Sequence, residues 1–147
     1  MTIDLPDLAA MDALGARIAG SLREGDVVAL SGGLGAGKTT LARAILSALG
    51  YAGEVPSPTF TIIETYDPPL VRLPMVHADF YRLENPRDAI ELGLADYRDG
   101  AALIAEWPDH AGGFDHEAQC LAIRLESVGK GRKAIVEPGT DWLGRWG

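Results

Sequence analysis

Lys38, Thr39, Asp79 and Glu106 are the residues whose type and setting point to chemistry. Lys38 and Thr39 close the stretch GGLGAGKT, Gly32 to Thr39, which meets every signature position of the phosphate-loop pattern G-x-x-x-x-G-K-[ST]. The glycines leave no Cβ to hold a polyphosphate away from the backbone. Loop N–H groups can then converge on phosphate oxygens, helped by the positive end of the following helix dipole. Lys38 is placed to neutralise β- and γ-phosphates, and the Thr39 hydroxyl to ligate Mg²⁺. A nucleoside triphosphate is the implied ligand. Its expected contacts are Gly33, Leu34, Gly35, Ala36, Gly37, Lys38, Thr39 and Thr40.

A phosphate-loop site also needs a carboxylate at the end of a neighbouring strand, to hold the metal directly or through water. Asp79 follows MVHA and Glu106 follows AALIA, so either fits the pattern. Glu106 ends the more apolar run and is favoured for the metal, because the mouth of such a site lies at the C-terminal edge of buried parallel strands. Asp79 is then left to orient an attacking water or sense the γ-phosphate, with Lys38, Asp79 and Glu106 as the catalytic set. His77 shares a strand face with Asp79 and Tyr81. No second histidine or cysteine accompanies it at ligand spacing, so a structural or positioning role is expected in preference to zinc. Ser57, Thr59 and Thr61 lie between and after prolines in VPSPTFT. Their hydroxyls make a candidate switch loop for the γ-phosphate or its metal, against the plainer reading of a proline-broken connection.

These residues must be positioned by a strand before the loop and a helix after it. Val27 to Leu30 is a short apolar run, suited to a strand buried on both faces. Leu41, Ala42, Ile45, Leu46 and Leu49 recur at helical spacing, with Gly50 as the stop. Upstream, Thr2 to Leu5 reads as an edge strand, and Asp7 as the cap of a helix carrying Leu8, Met11, Leu14, Ile18 and Leu22. Downstream, strands are expected at Phe60–Tyr66, Val71–Tyr81, Ala101–Ala105, Ala118–Glu126 and Lys133–Glu137. The last two form a hairpin around GKGRK. A short helix is expected over Pro86–Leu94, capped by Asn85, and TDWLGRWG shows no period. The gap between Tyr66 and Val71 is too short for a crossover helix, so that pair must be antiparallel. The expected fold is α/β, a P-loop nucleotide-binding fold with a mixed sheet, a parallel core, antiparallel strands and helices on both faces.

At 147 residues one domain, 1–147, is the prior. Thirteen basic and 21 acidic residues give a net charge of −8, which disfavours direct, tight binding to nucleic acid. The lone Cys120 precludes an internal disulfide or a cysteine metal cluster, and its setting in QCLAIRLE suggests a packed thiol. No signal-peptide pattern and no run approaching a membrane span is visible, so the cytoplasm is the expected location.

Taken in order, GGLGAGKTTLAR, SPTFTIIETY, HADFYRL and EWPD closely resemble the bacterial TsaE family, formerly YjeE. The resemblance implies a small ATPase needed for tRNA threonylcarbamoyladenosine modification, using ATP and Mg²⁺. It further implies slow hydrolysis alone, action with TsaB and TsaD, and contact with tRNA only through that complex. Lys38 and Thr39 then match the phosphate and metal positions and Ser57-Pro58-Thr59 the switch-like loop. Asp79 matches the acid of HxDxY, and Glu106 with Trp107 the EWP motif, whose acid is associated with Mg²⁺. The resemblance extends to the pair Gly131-Arg132. It gives Trp107 a role near nucleotide or partner, whereas core packing is the usual fate of a tryptophan. Lys130, Arg132 and Lys133 form a basic hairpin tip, either a solvated turn or a contact for nucleotide, tRNA or partner; Arg132 is carried as a nucleotide contact. Ala78, where a bulkier apolar residue is common, and the extra proline of DPPLVRLP depart from the family pattern without touching these residues. The sole asparagine, Asn85, stands in NPRD, so the guanine motif N-K-x-D is missing. A small-molecule kinase or a non-catalytic ATP-dependent interaction module is the remaining alternative.

Overall fold

The computed structural model describes residues 1–55 and 63–146. Seven strands form one sheet: β1 (Thr2–Leu5), β2 (Val27–Ser31), β3 (Ile63–Tyr66), β4 (Met75–Asp79), β5 (Ala102–Glu106), β6 (Cys120–Val128) and β7 (Gly131–Pro138). Their spatial order is β1-β7-β6-β2-β5-β4-β3. β2 runs parallel to both β5 and β6, and β4 parallel to β5, while β1–β7, β6–β7 and β3–β4 pair antiparallel. The mixed sheet with a parallel core is therefore observed. Its central members, β2 and β5, are the runs VVALS and ALIAE, whose apolar character follows from burial on both faces.

One face of the sheet is covered by α1 (Leu8–Ser21) and α2 (Lys38–Ala48). Asp7 caps α1, its Oδ1 accepting from the Ala10 N–H at 2.9 Å. Met11, Leu14, Ile18 and Leu22 point inward as the spacing requires, but Leu8 is exposed. The two helices approach closely at Gly15, where a Cβ would collide with Ala44. The other face is covered by α3 (Arg87–Glu91) and α4 (Leu94–Arg98), with Phe80 and Phe114 packed beneath. Cys120 lies on this side and Leu121, Ile123 and Leu125 on the opposite one, as alternation along β6 demands. Burial pushes the Cys120 thiol up to about 12.

Three expectations need adjustment. The strand expected over Val71–Tyr81 is only Met75–Asp79, because Pro74 interrupts it and the chain turns at Phe80. The helix expected over Pro86–Leu94 is shorter, Arg87–Glu91, and Gly93, in the left-handed region at φ 77°, separates it from a second helix, Leu94–Arg98, that was not expected. The C-terminal stretch without a period is a 3₁₀ turn, Thr140–Trp142, followed by α5 (Leu143–Trp146). Trp142 and Trp146 are both buried in the core below α1, so two large side chains do what a periodic stripe does elsewhere. The expected strand at Phe60–Tyr66 is observed from Ile63; its first three residues lie outside the described residues.

Candidate functional site

The C-terminal ends of β2, β4 and β5 meet the N-terminus of α2 around a cavity of about 300 Å³. Leu34, Gly35, Gly37, Lys38, Thr39 and Thr40 line it from the loop side, and Asp79, Tyr81, Glu106, Trp107 and Arg132 from the other. Gly33 and Ala36 are not part of this wall. They border a separate hollow of about 470 Å³ against β6. Ser57 and Thr59, the expected switch hydroxyls, lie outside the described residues.

Pairing of β4 with β5 puts Asp79 directly beside Glu106 and His77 beside Ile104. The two candidate acids thus sit at one mouth, as alternation and strand ends predicted separately for each. Glu106 is almost wholly buried, at 2 % exposure. Its Oε1 accepts from the Thr39 hydroxyl at 2.8 Å, and its Oε2 from His77 Nε2 at 2.6 Å. Since a carboxylate accepts at both oxygens, His77 carries its proton on Nε2. His77 is therefore a positioning group that holds Glu106 from behind. The sequence showed that His77 shares a face with Asp79, but its bond to Glu106 depends on which strand lies next to β4.

Asp79 has one oxygen satisfied by the Tyr81 N–H at 2.9 Å. Burial raises its pKa, and the negative charge of Glu106 adds to the rise, against the Tyr81 N–H, His77 and Lys38. Lys38 is 5 % exposed and donates to the carbonyls of Gly32 and Gly33 at 2.9 and 2.8 Å. Burial lowers its pKa, while Glu106 and Asp79 push it back up. Its ammonium also lies 4.4 Å from the centre of the Trp107 ring, a cation–π contact. The lysine thus places two of its donors on the loop it belongs to.

Trp107 reaches that position because it alone, among the described non-glycine residues, has a left-handed backbone, at φ 55°. Such a conformation costs on the order of 1–3 kcal/mol and persists only where surrounding contacts impose it. Here the Trp107 N–H donates to Leu30 O at 3.2 Å, and Pro108 starts a 3₁₀ turn immediately after. The indole packs against Tyr81 and His110 at ring distances of 4.9 and 5.4 Å. His110 Nδ1 in turn bonds to the Tyr81 carbonyl at 2.9 Å, which fixes its proton on that nitrogen. Tyr81 was not among the expected site residues, although its parity with Asp79 was the signal that could have found it.

The loop and acids fit a magnesium–triphosphate group. Among the described residues, the N–H groups of Gly37, Lys38, Thr39 and Thr40 have no backbone acceptor, as expected for a free helix start. Gly35 and Gly37 adopt φ 75° and 104°, conformations that suit glycine and bend the loop around these amides. A hydroxyl and two carboxylates are hard oxygen donors of the type that bind Mg²⁺. Among the described residues no helix is long and apolar enough to cross a membrane.

The strand–loop–helix and the sheet order define a P-loop nucleotide-binding fold. Residues 5–135 match the family described as threonylcarbamoyl adenosine biosynthesis protein TsaE, and the chain belongs to that family. It is 43 % identical over 128 residues to the tRNA threonylcarbamoyladenosine biosynthesis protein TsaE of Mycobacterium leprae, covering 79 % of this chain and 76 % of that one. The Mycobacterium tuberculosis protein of the same name is 40 % identical over 135 residues, covering 86 % and 79 %. The crystal structure of YdiB from Bacillus subtilis superposes with a TM-score of 0.75 at 26 % identity, covering 99 % of this chain and 90 % of that one.

Proposed function

We propose that this protein binds ATP with Mg²⁺ and hydrolyses it slowly, in support of tRNA threonylcarbamoyladenosine biosynthesis and together with TsaB and TsaD. The observation that carries the reading is the bond between Thr39 Oγ1 and Glu106 Oε1 at the start of α2, beside Lys38. Thr39 and Glu106 are the residues that would hold the metal, with Asp79 next to them in register. A magnesium ion held there would neutralise charge on the triphosphate and so ease attack by water.

The chain's own groups account for the rest. The N–H groups of Gly37 to Thr40, which have no backbone acceptor among the described residues, donate to phosphate oxygens, and Lys38 exchanges its loop carbonyls for phosphate. His77 keeps Glu106 aimed at Thr39. Asp79, with one oxygen held by the Tyr81 N–H, orients water with the other. Trp107 and Tyr81 shield the mouth from bulk solvent. The acidic surface, at a net charge of −8, favours contact with tRNA through partner proteins over direct binding. Calorimetry with ATP and Mg²⁺, followed by turnover with and without purified TsaB and TsaD, tests the proposal. Uptake of ATP and a rise in turnover with the partners are expected. No uptake by the folded protein would refute the site, and unchanged turnover would refute the partnership.

A further inference from the structure

The sequence offers Arg132 as a cation that would touch the nucleotide. The structure shows where its donors go. Nε donates to Ala36 O at 3.1 Å, Nη2 to Gly35 O at 3.0 Å, and Nη1 to Gly131 O at 2.9 Å. Two consecutive carbonyls of the phosphate loop are thus forked by one planar group. The platform beneath is stiff, because Arg132 is in register with Leu5 of β1 on one side and Ser127 of β6 on the other.

We infer that Arg132 is a positioning residue, which shapes the phosphate loop through its outward carbonyls instead of lending charge to the nucleotide. The reason is the trans peptide, in which C=O and N–H point opposite ways. Anchoring the carbonyls of Gly35 and Ala36 toward β7 turns the N–H groups of Ala36 and Gly37 away from it. The Ala36 N–H closes the loop on Gly33 O at 3.2 Å, and the Gly37 N–H has no backbone acceptor among the described residues, which leaves it available to an anion. Gly35 and Gly37, both at positive φ, flank the gripped peptides. Glycines carry the largest backbone freedom, so a loop built from them would lose much entropy on closing round a phosphate. The fork removes that freedom beforehand, which favours binding without new contacts. A lysine cannot replace it, since an ammonium does not present two donors in a fixed plane.

The inference rests on the proposed nucleotide site only for its functional consequence, and the test separates the two. Arg132→Lys and Arg132→Met are compared with the parent protein, with circular dichroism and thermal melting as controls for folding. In the nucleotide-free protein, amide exchange is followed at Ala36, bonded to Gly33, and at Leu41, bonded to Gly37 at 2.9 Å. Exchange at Ala36 should rise about tenfold in both variants, as expected for loss of two hydrogen bonds, while Leu41 inside α2 rises less. KM for ATP should rise by about the same factor in both, with kcat within about twofold of the parent. Unchanged exchange at Ala36 would overturn the inference even if ATP binds. A selective fall in kcat that Arg132→Lys rescues would overturn it in favour of a charge on the reacting phosphate. If the parent fails to take up ATP, the exchange result still decides whether Arg132 shapes the loop.

Discussion

Two buried carboxylates stand at opposite ends of the central strand pair, and their surroundings differ in kind. Asp26 precedes β2 and is 1 % exposed; Glu106 ends β5 and is 2 % exposed. Asp26 accepts from Arg145 at both oxygens, at 2.7 and 2.8 Å, and from the Arg23 N–H at 2.7 Å. The pair raises the pKa of the Arg145 guanidinium, which also lies 4.2 Å from the Trp142 ring centre. Both oxygens of that carboxylate are paired with a permanent cation, so it clasps the C-terminal segment to the sheet. Glu106 has instead a hydroxyl and an imidazole, with the nearby ammonium of Lys38 turned toward loop carbonyls. Neither partner is a permanent cation. A carboxylate locked in a bidentate ion pair serves structure, whereas one held by a hydroxyl and an imidazole is free to meet a cation from outside.

The contrast predicts unequal responses to the same chemical change. Asp26→Asn should destabilise the protein by about 2–3 kcal/mol, because it removes the charge partner of the partly buried Arg145 guanidinium, which keeps only the carbonyls of Ser21 and Asp141. Urea unfolding measures this, and ATP affinity of the folded variant should stay within about twofold of the parent, since Asp26 lies at the far end of the strands. Lys38→Met should reverse the pattern, lowering ATP affinity by about 100-fold through loss of charge-assisted bonds to phosphate. Calorimetry reads that loss directly. Glu106→Gln should cost only about 1 kcal/mol of stability in urea, since an amide can keep part of the hydrogen bonding to Thr39 and His77. Its Mg²⁺-dependent turnover should nevertheless fall by about 100-fold, as for removal of one preorganised electrostatic group. Equal destabilisation by Asp26→Asn and Glu106→Gln would erase the distinction between the two ends.

A smaller effect concerns Cys120, which neither end uses. Burial raises its thiol from 9.0 to about 12, so the folded state disfavours the thiolate. The associated stability is fully present below pH 9.0 and is lost as pH rises toward about 12. A Cys120→Ala variant should therefore lose stability less steeply over that interval, and in the parent at pH 8 a thiol reagent should react only on unfolding.

Much of this organisation was legible in the chain, and the reason varies with the residue. Lys38 and Thr39 could be located because the loop and the helix start are contiguous, so spacing alone implies geometry. Asp79 and Glu106 could be found as strand ends, and alternation placed Tyr81 beside them without marking it as part of the cavity. His77 was legible as a strand residue only, because its partner belongs to another strand, 29 positions further along. Trp142 and Trp146 escaped the helical and strand periods, since a segment this short shows its burial only once α1 and the sheet are present.

Local order therefore came from the amino acids themselves: the apolar runs of β2 and β5, the glycine-rich turn and the capped first helix depend on neighbours within a few residues. Tertiary structure alone decided that β4 lies beside β5, that Trp107 is turned over Lys38, and that Arg132 crosses from β7 to the loop. Those outcomes depend on contacts between segments far apart in the chain, whose energies no local pattern records. The strand order and register of the mixed sheet set them, because one strand step moves a side chain to the other face.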